Sequence, residues 1–341
     1  MNRPPKEFKR IPADQLQQFA AACLKAGGLR ADHADQLAEL LTNSDLRGVR
    51  SHGTRAVGSY SRTLRDGKVN PNPDLQVVRE TDTTILIDGD GGLGYAPMMM
   101  ATERAILKAK VKGVGVGATR HIGHYGSAGH YVRRAMQDGC TAFSVQGIGL
   151  GQQWREDGRN EARQSAYWGN PPMCFGLPGQ EEPPLVLDMA TCILADYQRG
   201  EPFDALQELI PAAFFKSMGL TGVGHALGGA LVGMQNPRSE AVRERWPGAY
   251  AGGLVIVMDI GLFVPPEEFR SGIDYLVRGV RKTMAPVRGY DEATLPGTIE
   301  SRKEQEYRRD GVPYDLEDLK RLETAGKEFG ITPPWERWDR T

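Results

Sequence analysis

The chain has 341 residues, 40% of them hydrophobic and 25% charged, the composition of a globular protein with room for one large core or two smaller ones. Forty-two basic residues against 43 acidic ones leave a formal charge of −1, so no overall field recruits nucleic acid or an anionic membrane. No apolar run reaches the roughly 18 residues that span a bilayer, and the opening MNRPPKEFKR has no signal-peptide core, so a cytoplasmic address is expected.

Pro12, the stripe Leu16, Phe19, Cys23 and Leu24, and the closing Gly27-Gly28 predict a first helix, and a second runs from Ala31 to Thr42. Within LRGVRSHGTRAVGSYSRTLRDGKVNP, Leu46 to Pro71, the recurrence of Val57, Tyr60 and Leu64 predicts a helix over Thr54 to Arg65. Gly67 stops it, and Ser51 or Thr54 is its N-cap. The texture then changes at NPDLQVVRETDTTILIDGDGGLG, whose β-branched clusters and Asp-Gly pairs signal strands and tight turns, so a domain boundary is placed near Asn72. Next come a helix in APMMMATERAILKAKVKG, a strand in VGVGAT, a helix in SAGHYVRRAMQDG and a strand in TAFSVQG. PPLVLDMAT reads as a short buried strand, GVGHALGGALVGM as a small-residue helix, and GGLVIVMDIGLF as an apolar strand. This alternation argues for an α/β class. The charged tail from Thr298 carries too little apolar surface to fold alone and is expected to pack on the N-terminal helices. Residues 1–72 with 298–341 are therefore read as a helical domain and 73–297 as a central α/β domain. Cys23, Cys140, Cys174 and Cys192 lack CxxC spacing and sit near apolar neighbours, as buried thiols in a reducing compartment do, and no metal site is indicated.

DGDGGLG, Asp88 to Gly94, matches neither GxGxxG nor GxxxxGK[ST] and reads as a turn after a strand. HIGHYGSAGHY, His121 to Tyr131, puts small residues ahead of a helix, where free backbone N–H groups could cradle a phosphate or carboxylate. His130 and Tyr131 also read as ordinary helix surface and core. Lys216 is the one charge in PAAFFKSMGLTGVGHALGG and either snorkels to the surface or meets an anion. Asp188 ends its strand as a site residue or as a cap. His52 in Ser51-His52-Gly53 is a proton donor or a structural histidine, and composition leaves both open.

Taken together, RGVRSHG, RDGKVNP, ILIDGDGGLGY, HYGSAGHY, PPLVLDMAT, FFKSMGL with HALGGALVG, and LPGTIESRKEQEYRRDGVP resemble the malate/L-lactate dehydrogenase family of the second type, from about Leu16 to Gly330. That family includes ureidoglycolate, sulfolactate and diketogulonate enzymes and cyclic-imine reductases. The resemblance implies a non-Rossmann α/β (α+β) fold, with helices from both chain ends beside a central cofactor-binding domain. It also implies a homodimer with the site near the subunit interface. By the same resemblance His52 is the proton donor, Ser51 steadies it, and NAD or NADP contacts fall on His124, Tyr125, Gly126, Ser127, Ala128, Asp188, Met189, Ala190, Lys216, Ser217, Pro296 and Gly297.

The departures from the family pattern concentrate at the ligands. The arginine expected five residues after the serine is Ala56, and Arg55 lies one residue, roughly 100° of helix rotation, away from that position. Arg47, Arg50 and Arg55 remain as candidate partners for a substrate carboxylate. Gln146-Gly147-Ile148 stands where the family has Thr-Asn-Ser, which makes Gln146 a further substrate candidate. The loop GLGQQWREDGRNEARQSAYWGNPP is longer than the family's, the segment between DMATC and FFKS is shorter, and Tyr197-Gln198 and Lys216-Ser217 replace the usual pairs after DMAT and at the lysine. The expected function is an NAD(P)-dependent oxidoreductase acting on a 2-hydroxy or 2-oxo acid or an imino acid. The alternative is a lyase, hydratase or isomerase that uses His52 without nicotinamide, and the third reading is a catalytically silent dimer or partner-binding protein.

Overall fold

The computed structural model describes residues 4–149, 169–193, 201–336 and 338. Its first elements are β1 (Lys9–Ile11), α1 (Ala13–Ala26), α2 (Ala31–Leu46), α3 (Val57–Arg65), β2 (Gln76–Glu80), β3 (Thr84–Asp88), α4 (Tyr95–Lys112), β4 (Val114–Ile122), α5 (Gly129–Gln137) and β5 (Cys140–Ile148). They are followed by β6 (Pro172–Leu177), β7 (Leu185–Ala190), α6 (Glu201–Leu209), α7 (Pro211–His225), α8 (Pro237–Arg245), β8 (Ala251–Asp259), α9 (Pro266–Thr283), α10 (Thr298–Asp310), β9 (Val312–Tyr314) and α11 (Leu316–Phe329). The chain divides into two units, one of residues up to Pro73, Pro178–Leu185 and Glu267 onward, the other of Asp74–Leu177 and Val186–Pro266. No described helix is long and apolar enough to cross a membrane.

In the first unit the predicted stripe of α1 is buried throughout, at Leu16, Phe19, Cys23 and Leu24. Gly27 lets α3 approach, since a Cβ there would fall 2.8 Å from the Ser61 α-carbon, and the Ser61 hydroxyl donates to the Cys23 carbonyl at 3.0 Å. The tail returns as expected: α10 packs on α2, α11 packs on α1 and α3, and β9 pairs antiparallel with β1, Lys9 opposite Tyr314. Helix α9 and Pro178–Leu185 also belong to this unit, outside the expected limits at Asn72 and Thr298. Asp274 of α9, 3% exposed, ties these two pieces to each other: its carboxylate accepts the backbone N–H groups of Gln180, Glu181 and Glu182 at 2.9, 2.9 and 3.1 Å. Burial pushes this carboxyl up, but the three N–H donors and Arg278 outweigh it and hold it below the usual carboxylate range.

The second unit is built on a seven-stranded sheet in the order β2-β3-β4-β8-β5-β6-β7. β3 and β4 pair in parallel across the α4 crossover, while β2–β3, β4–β8, β8–β5 and β5–β6 pair antiparallel. Glycines bring helices onto both faces. On one face a Cβ at Gly117 would lie 2.3 Å from the Ala101 carbonyl oxygen of α4. On the other, Ala118, Val145 and Leu254 pack with Val232 and Met234, and a Cβ at Gly228 would lie 2.3 Å from the Gly147 nitrogen of β5.

Two expectations change here. The small-residue helix ends at His225 and continues as a π-helical turn, Ala226–Ala230, which lays Gly228 and Gly229 against the β5 backbone. β7 is an edge strand with Val186 as its buried residue, not a buried strand. Cys23, Cys140 and Cys174 are buried as expected, Cys192 less so, and burial pushes the Cys23 thiol up to about 12.

These contacts give glycine substitutions opposite signs. Gly228→Ala must displace backbone and is expected to cost about 2 kcal/mol or more, whereas Gly272→Ala in α9 meets nothing within 4 Å and is expected to stabilise by about 0.5–1 kcal/mol. Thermal denaturation of both variants checks the contrast. Asp274→Asn leaves one N–H without an acceptor and should cost about 1–3 kcal/mol near neutral pH. Because the folded-state value is depressed, that stability exists above the unfolded carboxyl value of 3.8 and disappears as pH falls through the folded one. Urea denaturation should therefore show wild type and Asp274→Asn converging in acid.

Candidate active site

In the first unit, Arg50–His52 form a 3-10 turn, Gly53 is extended (φ −95°, ψ −170°), and a second 3-10 turn, Thr54–Ala56, leads into α3. The Ser51 Oγ lies 2.9 Å from His52 Nδ1, a contact that restrains the orientation of the ring. Neither Ser51 nor Thr54 caps α3: no side chain caps that helix, and Thr54 is engaged elsewhere. Its N–H donates to Asp45 Oδ2 at 2.8 Å and its hydroxyl lies 2.6 Å from the Tyr314 hydroxyl. Asp45, at the end of α2, is 1% exposed and was not legible as a site residue. Burial raises its carboxyl to about 6, although bonds from Thr54 and Tyr314 pull it down, and Asp318 adds to the rise.

The three arginines expected to meet a substrate carboxylate are each engaged by acids of their own unit. Arg47 holds Glu304 at 2.9 Å, Arg50 holds Asp315 at 2.7 Å and Asp318, and Arg55 lies 3.6 Å from Asp318. Pro296 and Gly297 precede α10. Gly297 has φ 100° and donates its N–H to Glu300 at 3.1 Å, so there the pair sets a helix start. Lys303 adds a cation beside the turn that the sequence did not single out: its side chain runs along Gly48, whose φ is 73°. Burial lowers the Lys303 amine, against Glu300 and Glu306.

The remaining expected residues lie in the second unit. Asp88 to Gly94 is a turn, as read: Gly92 donates to Gly89 across Asp90 (φ 46°) and Gly91 (φ 77°). Backbone bonds from Gly89, Gly91 and Gly94 to Arg120, His121 and His124, and from Gly123 to Gly92, zip it onto the histidine loop. His121 is fully buried with φ 54°, its Nδ1 2.9 Å from Asp88 and its Nε2 2.8 Å from the Ser239 hydroxyl, so it is a satisfied core residue. His130 is 5% exposed, not on the surface, and Tyr131 donates to the Tyr125 carbonyl at 2.5 Å. Among the described residues no cluster could hold a metal.

Around α5 the anion cradle is filled from within. The Asp188 carboxylate accepts the Ser127 hydroxyl at 2.5 Å and the Gly129 N–H at 3.0 Å, so the helix N-terminus already has its negative charge. Tyr125 and Ala128 are wholly buried, and Gly126 (φ 82°) faces the Tyr95 ring, 2.3 Å from where a Cβ would stand. Ser217 donates to the Thr191 carbonyl at 2.5 Å, and Gln146 donates to the Gly123 carbonyl at 3.0 Å. His225, unremarked in the sequence, accepts the Ile148 N–H at 3.3 Å, and burial pushes it down to about 4. His124 is half-buried, Met189 is half-buried, and Asp188, Ala190 and Lys216 are exposed. This set fits a dinucleotide chemically, with a lysine for phosphate and a carboxylate for ribose hydroxyls. Trp154, Trp168, Tyr197 and Gln198 lie outside the described residues.

A malate/L-lactate dehydrogenase family model matches residues 11–201 and 198–323. L-sulfolactate dehydrogenase of Methanocaldococcus jannaschii is 30% identical, the alignment covering 96% of this chain and 97% of that one. Ureidoglycolate dehydrogenase (NAD(+)) of Escherichia coli strain K12 is 26% identical over 89% and 92% of the two chains. The structure of malate dehydrogenase from Pyrococcus horikoshii OT3 superposes with a TM-score of 0.81 at 25% identity, covering 97% of this chain and 98% of the other. The mixed sheet, with its parallel pairing of β3 and β4, is thus the non-Rossmann α/β fold of these dehydrogenases. With a family model over most of its length and a 30%-identical relative over nearly all of it, the chain belongs to the malate/L-lactate dehydrogenase family.

Proposed function

We propose that the protein is an NAD(P)-dependent oxidoreductase acting on a 2-hydroxy or 2-oxo acid or a related imino acid, with His52 as its proton donor. The observation that carries the reading is the 2.9 Å contact between Ser51 Oγ and His52 Nδ1, in a chain whose relatives are named dehydrogenases. When bound, NADH or NADPH supplies hydride to C2 of the 2-oxo acid. His52 gives its Nε2 proton to the oxygen that gains charge as the carbonyl is reduced, and Ser51 keeps the ring oriented. In the oxidative direction the same imidazole takes the proton back.

Among the arginines, Arg55 is the strongest candidate for the substrate carboxylate, because its 3.6 Å pair with Asp318 lies beyond hydrogen-bond distance. Lys216, Asp188 and His124 are assigned to the cofactor, with Met189 and Ala190 as edge backbone. Gln146 acts through the Gly123 carbonyl that it holds, three bonds of chain from His124. Leu209, Phe215, Val223 and Leu231 form exposed apolar surface on and after α6 and α7, which favours a homodimer. One observation favours the nicotinamide-free lyase or isomerase reading: Asp188 occupies the α5 N-terminus, where a phosphate would otherwise gain most.

Titration with NADH and NADPH, followed by cofactor and tryptophan fluorescence, separates the two. Saturable binding below millimolar concentration is expected, and none at millimolar cofactor would contradict the redox reading. His52→Ala is expected to lower kcat by about 10²–10⁴ with the thermal midpoint little changed. Full turnover by that variant would exclude His52 as the proton-transfer group in both enzyme readings.

A further inference from the structure

We propose that Asp45 is a positioning residue for His52: its buried side chain holds the Ser51–Thr54 turn by accepting the Thr54 N–H beneath Gly53. The inference rests on the reading of His52 as proton donor. Asp45 carries the turn from both ends. Its carbonyl accepts the Gly48 N–H at 2.8 Å, where the chain leaves α2, and its Oδ2 accepts the Thr54 N–H at 2.8 Å, where the chain turns into α3. Between these two bonds lie Ser51 and His52.

Gly53 completes the contact. Its φ of −95° and ψ of −170° suit any residue, so conformation does not require glycine here. Space does: a Cβ on Gly53 would stand 1.7 Å from Asp45 Oδ1. The carboxyl group and the turn are therefore packed face to face, with no side chain between them to take up slack.

The acceptor is held in turn. Tyr314 of β9, fully buried, faces Asp45 and lies 2.6 Å from the Thr54 hydroxyl, and Asp318 of α11 stands behind it, engaged by Arg50 and Arg55. A carboxyl group at 1% exposure is costly to bury for packing alone, since an apolar residue would fill the same space without desolvation. What the carboxyl supplies is an acceptor at one point of the turn that carries His52. The role requires an acceptor, not a charge, so Asn should perform it.

The test uses the full chain with histidine-selective isotope labelling. The six histidines are resolved by NMR, and His52 is assigned through His52→Gln. In Asp45→Ala the His52 ring signals are expected to shift and broaden, and kcat for NADH or NADPH with oxaloacetate to fall about 100-fold, with KM changed no more than about threefold. Asp45→Asn should restore both the signals and most of kcat. Should Asp45→Ala not fold, Gly53→Ala, which drives the carboxyl away from the turn, is expected to move the same signals. Unchanged His52 signals and kcat in Asp45→Ala, beside a lowered melting temperature, would overturn the proposal, as would an Asp45→Asn variant as impaired as Asp45→Ala. If His52→Ala keeps full turnover, the proton-donor reading fails by itself, and the NMR comparison still decides whether Asp45 orders the ring.

Discussion

The hydrogen bond from the Thr54 N–H to the buried Asp45 carboxyl is the constraint on which the turn carrying the proposed proton donor depends. It fixes a turn too short to hold itself: two 3-10 turns separated by one extended glycine. Everything around it serves that geometry. Tyr314 arrives on a three-residue strand that exists because β1 pairs with β9. The acids of α10 and α11 draw in Arg47, Arg50 and Arg55, so the positive charge near the turn is balanced locally. A balanced cluster binds an added carboxylate less tightly than three free arginines would.

The second unit solves a different problem, the presentation of polar groups from a sheet covered on both faces. Glycine in β4 and β5 lets α4 and the π-helical turn approach to backbone contact. That closeness leaves little room for side chains, and polar residues with exposed surface stand instead at Asp188 on the edge strand β7 and Lys216 on α7, with His124 half-buried in the histidine loop. Asp188 links two of these: exposed on β7, it holds Ser127 and Gly129 at the start of α5. A bound anion near that helix would have to share its donors with this carboxylate.

Local patterns were legible in the sequence wherever one element decides the outcome. The α1 stripe and the Asp88–Gly94 turn depend on neighbours a few residues away, and each appears as read, whereas Ser51, read locally as a helix cap, instead lies against His52, as only the family resemblance implied. The return of the tail was legible because it carries too little apolar surface to fold alone, and the few apolar residues of α11, Leu319 and Leu322, are buried on the return. Contacts across the chain were not legible. Arg47 and Glu304 are 257 residues apart, and nothing at either position announces the other. Asp45 lies beyond the predicted end of α2 at Thr42, and nothing in the sequence announces its bond to the Thr54 N–H nine residues on. The exposure of β7 follows from its place at the sheet edge, which composition does not encode, and the glycine run after His225 read as helix because small residues suit both helical forms.

The central claim, that His52 delivers the proton, is tested most directly by the pH dependence of kcat/KM for reduction of a 2-oxo acid, measured for wild type and His52→Gln. Reduction needs the imidazolium, so the wild-type profile should be level in acid and fall as pH rises through a single ionisation, with the oxidative direction its mirror image. His52→Gln should lack that ionisation in both directions. Superimposable profiles for the two proteins would contradict the account.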